Sequence, residues 1–218
     1  MALALTALDR RLVEFNQLPS RTLHPSRHAA YAPPATLAAI AAAPALAAGW
    51  HRHWSRDILD ALGLRQRPVT DPDRPELALA LLAPDALAQC VRRLGAVLCG
   101  PRLRRAIAGD EVRALIADLG ADLLDFTRRT AGSLHGGIVA SSAWSLAETT
   151  AALDTLGRDA LRAALASGGP ELAQRAELKL PDLPAGPSPL PGQEALSLGL
   201  SLLKKTDPTW LSSFPAIR

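Results

Sequence analysis

Valine and isoleucine are scarce, six of each in 218 residues, while alanine and leucine number 42 and 40. Straight-chain and γ-branched side chains keep their rotamer freedom in helices, whereas β-branched ones suit strands, so a large sheet is excluded. Only two cysteines are present, too few for a disulfide framework, and a reducing, intracellular location is expected. If Cys90 and Cys99 share one helix, nine residues turn it by about 900°. They would then lie on opposite faces, roughly 13 Å apart along the axis, and could not bridge. Aromatics make up 4% of the chain, which argues against a stacking platform for single-stranded nucleic acid. Long apolar runs are missing as well. Ala2–Leu8 has no basic region before it and runs into Asp9-Arg10-Arg11, and Ala35–Trp50 is broken by Pro44. Neither has the form of a secretory signal or a membrane span.

What remains is an Ala/Leu-rich chain cut repeatedly by 18 prolines and 15 glycines. Leu5, Leu8, Leu12 and Phe15 form a helical stripe over about Ala4–Phe15, ended by Pro19. A helical region follows from Ala35 to Leu64, broken near Pro44 and stopped at Gly63. Arg65–Pro75 reads as a surface loop. Leu87, Val91, Leu94 and Leu98 line a helix that Asp85 is expected to cap, and Pro101 suits the first turn of the next. Leu103 and Ile107 are expected on one face of that short helix. Asp110 is a candidate cap for the stripe Val112, Leu115, Ile116, Leu119, which ends at Gly120, and a short helix then covers Ala121–Thr130. After a hinge at Gly132–Gly137, a longer helix covers about Ser142–Ala166, with Ser145-Leu146-Ala147-Glu148 as a capping box. The expected architecture is an all-α, compact irregular bundle of roughly eight to ten short helices forming one domain over 1–218. Within it, 181–192 is a Pro/Gly-rich connector, and 193–218 is a C-terminal docking helix and tail.

Chemistry-bearing motifs are weak. His51 and His53 are two apart and do not share a helix face, while His24 and His28 flank Pro25 without the glutamate of a zincin. Gly132–Gly137 has no Lys-Ser/Thr of a phosphate loop. No catalytic residue, cofactor or metal is therefore expected. The pairs Trp50/Trp54 and Trp210/Phe214, each four apart, fit core packing, the second holding the tail down.

Charge is more telling in its distribution than in its total of +3. No acidic residue lies between Asp85 and Asp110, yet Arg92, Arg93, Arg102, Arg104 and Arg105 do, mostly off the apolar stripes. They are the partner-binding candidates, a solvent-facing patch for a carboxylate-rich protein surface. The alternative is a helical regulatory or nucleic-acid-binding protein using the same Arg92–Arg105 face.

Three ordered segments carry a likeness to a known family. They are Phe15-Asn16-Gln17-Leu18-Pro19 with Leu23-His24-Pro25-Ser26 through Tyr31; Leu94-Gly95-Ala96-Val97-Leu98-Cys99-Gly100 with Leu103-Arg104-Arg105-Ala106-Ile107; and Leu178-Lys179-Leu180-Pro181 followed by Leu202-Leu203-Lys204-Lys205 and Pro208. Together they resemble the SctK (YscK) family of bacterial type III secretion systems. Asn16-Gln17 departs from it, standing where a Cys-Pro or similar pair is expected. The resemblance implies a non-enzymatic, cytosolic protein of the injectisome sorting platform at the inner membrane. Such a protein links the cytoplasmic domain of the ring protein SctD to the pod protein SctQ, and through it to SctL and the ATPase SctN. Nucleic acid is not expected as a partner on that reading.

Overall fold

The computed structural model describes residues 6–214; the first residues of the opening stripe and the end of the tail, 215–218, lie outside them. In chain order the helices are α1 (Ala7–Gln17), α2 (His28–Tyr31), α3 (Pro34–Ala42), α4 (Ala47–Ala61), α5 (Leu77–Ala80), α6 (Pro84–Leu98) and α7 (Gly100–Leu103). Then follow α8 (Gly109–Leu119), α9 (Ala121–Phe126), α10 (Gly132–Leu134), α11 (Leu146–Ala166), α12 (Pro170–Glu177), α13 (Gly192–Thr206) and α14 (Pro208–Leu211). No strand occurs among the described residues, as the shortage of β-branched residues requires. Gly63 and Gly120 end their helices and Gly169 caps the start of α12, at φ of 64°, 89° and 85°, a region that side chains with a Cβ avoid.

Caps refine several boundaries. Thr6 and Asp9 close a capping box on α1, and Ser145 with Glu148 does the same on α11. That box starts α11 at Leu146 rather than Ser142, after a 3₁₀ turn over Val139–Ala143. Asp85 and Asp110 are not caps. Pro84 takes the first helical position of α6 and Gly109 opens α8, so Ala83 and Ala108 are the N-caps. The two aspartates instead lie in the first turns, where they favour the helix dipole. The helix expected over Ala121–Thr130 passes without a break through a π-turn, Thr127–Ala131, into α10. Gly132 is thus helical, and the chain breaks only after Leu134.

The long α11 is the central element, packed on α6, α13 and α12. Its crossing with α6 is set by two glycines: Gly157 faces the Val91 carbonyl and Gly95 faces the Leu153 carbonyl, with no room for a Cβ at either. Leu87, Leu94, Leu98, Leu161 and Leu165 fill the main core around this contact. A second cluster, with Leu103, Leu115, Leu124 and Leu153, lies beneath α8 and α9. A third, small one gathers Leu23, Trp54, Ile58 and Leu178, with Trp50 partly buried against it. Phe214 is fully buried, and Trp210 Nε1 donates to the Ala78 carbonyl at 2.8 Å, so both aromatic pairs pack as expected. Asn16 completes a two-way bond with the backbone of Val69, at 2.8 Å each way, tying the 65–75 loop to α1. The proline-rich connector is extended and largely exposed but not free. Arg162 donates to the Leu183 and Pro184 carbonyls, and Gly186 N donates to Asp159.

Arg175 and Lys179 are buried cations that spend their donors on backbone carbonyls rather than on a carboxylate. Arg175 donates to the carbonyls of Leu64, Arg67 and Glu171. Lys179 Nζ donates to Ala80 and Leu82 at 2.6 and 2.9 Å, capping the end of α5. Burial pulls the Lys179 amine from its ordinary 10.5 down to about 7; a neutral amine still has protons for both carbonyls. Between those two values the unfolded chain holds a proton that the native chain has released, so stability rises with pH. Cys90 and Cys99 act in the opposite sense: burial lifts both thiols from 9.0 to about 12, so stability falls as pH climbs above about 9. Unfolding free energy from urea titrations is therefore expected to climb from pH 7 to 8.5, with a net slope that peaks at about 1 kcal/mol per pH unit near pH 8 before the thiols offset it. Lys179→Met is expected to flatten that climb.

Candidate partner-docking surface

The five arginines of the acid-free stretch do not form one solvated face. Arg92 donates to the Leu119 carbonyl at 3.2 Å, with its Nε 3.7 Å from Asp154. The Arg93 guanidinium lies 5.9 Å from the centre of the Phe126 ring, within cation–π range. Arg102 is only 14% exposed; it pairs with Glu111 at 2.9 Å and donates to the Trp144 carbonyl, also at 2.9 Å. Arg104 packs its Nη1 against Gly100 and Gly132, buried and without an acceptor. Arg105 alone of the five is an exposed residue, with one donor 3.3 Å from the Ser142 carbonyl. The solvent-facing expectation thus holds for Arg105, holds in part for the half-exposed Arg92 and Arg93, and is corrected for Arg102 and Arg104. The acceptors along this stretch are mostly backbone carbonyls on distant segments, which bind the α6–α7 end to the 3₁₀ turn and to α8.

This stapling creates something the helical pattern did not predict. Leu103 is fully buried, but α7 ends there, so Ile107 falls past the helix and is 84% exposed instead of sharing its face. Val139, in the 3₁₀ turn that Arg102 and Arg105 hold against α7, is likewise 84% exposed. Arg128 closes the corner, donating to the Ala106 carbonyl at 2.9 Å. One end of the bundle therefore carries an exposed arginine, Arg105, and two exposed β-branched side chains, Ile107 and Val139. A second uncovered surface is α3, an Ala/Leu/Ile helix with no buried residue that packs on α4, followed by Leu46 at 67% exposed.

His24 Nδ1 accepts from Ser26 N, His51 Nδ1 shares a hydrogen bond with Ser20, and both thiols are buried. Among the described residues no three His, Cys, Asp or Glu side chains gather into a metal site, and no helix is long and apolar enough to cross a membrane. Compared with known families, residues 14–211 match a family model described as "YOP proteins translocation protein K (YscK)". No curated protein and no solved structure matches the chain.

Proposed function

Since the chain belongs to the YscK family of translocation proteins of type III secretion, we propose that it is a non-enzymatic cytosolic adaptor of the injectisome sorting platform. It bridges the cytoplasmic domain of SctD to SctQ, and through SctQ it reaches SctL and SctN at the inner membrane's cytoplasmic face. The observation that carries this reading is the family match over 14–211, most of the chain. Two uncovered surfaces support it: the Arg105–Ile107–Val139 end and the α3 helix. A bridge needs two faces, and these stand on different parts of the bundle, one on α4 and the other on α6 and α11. The nucleic-acid reading has less support, because Arg102 and Arg104 are drawn into the fold and Arg92 is engaged by Asp154 and the Leu119 carbonyl, which breaks up the basic face.

Co-purification of the full chain with the matching SctQ and SctD cytosolic domains tests the proposal. Binding to both is expected; failure to bind either, with every protein folded, would reject it. The surface has its own test in the double variant Arg105→Glu, Ile107→Asp. Arginine and buried apolar anchors dominate interface energetics, so affinity for one partner is expected to fall by about 100-fold, roughly 2.7 kcal/mol, with helical circular dichroism unchanged. Arg104 is unsuitable for this purpose because its guanidinium is packed against two glycines.

A further inference from the structure

Outside the Arg105 end, one buried cation lacks a partner. Arg158, on α11, is 7% exposed, its Nε has no acceptor, and its single hydrogen bond is a long one from Nη2 to Thr155 Oγ1 at 3.4 Å. No carboxylate pairs with it, in contrast to Arg162 one turn on, which is held by Glu177 and Asp159. A desolvated guanidinium with free donors is costly unless an anion completes it. Arg158 lines a cleft of about 570 Å³ between the start of α6, the middle of α11, and the segments at 24–25 and 180–183.

The other charges around the cleft are largely spent. Arg92 and Asp154 offset each other, 3.7 Å apart. Lys179 gives its amine to two backbone carbonyls, and His24 is held toward its neutral form by burial. Asp85 is exposed in the first turn of α6, leaving Arg158 as the uncompensated charge inside. Around it the walls are mostly apolar, with Val91, Leu180 and Leu183 among them.

We propose that this cleft docks an extended acidic segment of a partner protein, with one carboxylate pairing with Arg158 and a flanking apolar side chain against Val91 and Leu183. The inference rests on the adaptor reading in taking the occupant to be a protein segment. Its occupant is argued from charge complementarity: a buried guanidinium with no carboxylate, beside a Lys179 amine already bonded to two carbonyls and among apolar side chains, matches one carboxylate flanked by apolar residues. It does not match the dense charge of a phosphate backbone.

The test is NMR titration of the full chain with two blocked pentapeptides, leucine-glutamate-leucine between alanines and its glutamine counterpart. The glutamate peptide is expected to shift Ala88, Thr155 and Leu183 resonances saturably and to bind at least tenfold more tightly than the glutamine one. Arg158→Met should erase that difference. Ala88→Trp, which fills the mouth from an exposed position, should abolish binding of both peptides and serves if Arg158→Met fails to fold. Equal binding of the two peptides, no binding of either, or saturable shifts with inorganic phosphate alone would overturn the site. Co-purification separates this from the adaptor reading. Loss of peptide binding with both partners retained rejects the cleft alone, whereas peptide binding with neither partner retained rejects the adaptor and leaves the cleft standing.

Discussion

Gly157→Ala is expected to destabilise the protein by about 3 kcal/mol or more, although alanine is the better helix former by about 1 kcal/mol. The steric effect wins because of what the new methyl group meets. A Cβ at position 157 would overlap the Val91 carbonyl oxygen and lie 2.8 Å from Gly95 N, and a Cβ at position 95 would overlap the Leu153 carbonyl. These are backbone atoms of the facing helix and cannot rotate aside. The helices would have to separate, loosening the leucine layer between α6 and α11. Gly49 provides the control, since it is exposed in α4 with nothing within 4 Å of an added Cβ. Gly49→Ala is expected to stabilise by about 0.5–1 kcal/mol. Urea midpoints of the two variants should therefore move in opposite directions; a shift in the same direction would refute the close-crossing account.

Arg175→Ala is expected to cost about 3–5 kcal/mol, through a cavity left by a side chain only 2% exposed and two loop carbonyls, of Leu64 and Arg67, stripped of a charged donor. This arginine clamps the 65–75 loop onto α12, alongside the Arg67–Glu171 pair. Arg175→Met keeps most of the volume and removes the cost of burying a cation, so it should lose less than half as much. Urea denaturation reads both. Equal losses would mean that the hydrogen bonds alone hold the loop. Little loss in either variant would mean that the clamp contributes nothing.

The helices were legible because their punctuation is local. Glycines at 63 and 120 end helices, and Gly169 opens α12, in backbone conformations that they alone adopt readily, and the Ser145–Glu148 box starts α11 within four residues. The arginine stretch misled for the opposite reason. The carbonyls bound by Arg92, Arg105 and Arg102 lie 27, 37 and 42 residues away, and a backbone acceptor carries no mark in the sequence, whereas an acidic partner would. A position off the apolar stripe is therefore no guarantee of exposure. Ile107 continued an apolar spacing beyond the point where its helix ends, so the pattern buried it and the fold does not. Buried Lys179 was hidden in the same way, its partners being carbonyls of Ala80 and Leu82. Gly95 and Gly157 carry no such local mark, because their role exists only where two helices cross.

The central claim, that one chain holds two partners at once, is most directly tested by light scattering on a mixture of this protein with the matching SctQ and the SctD cytoplasmic domain. The account predicts a three-component complex heavier than either binary one, from which Arg105→Glu, Ile107→Asp releases a single partner. Binary complexes in which SctQ and SctD displace each other, or no complex at all, would contradict it.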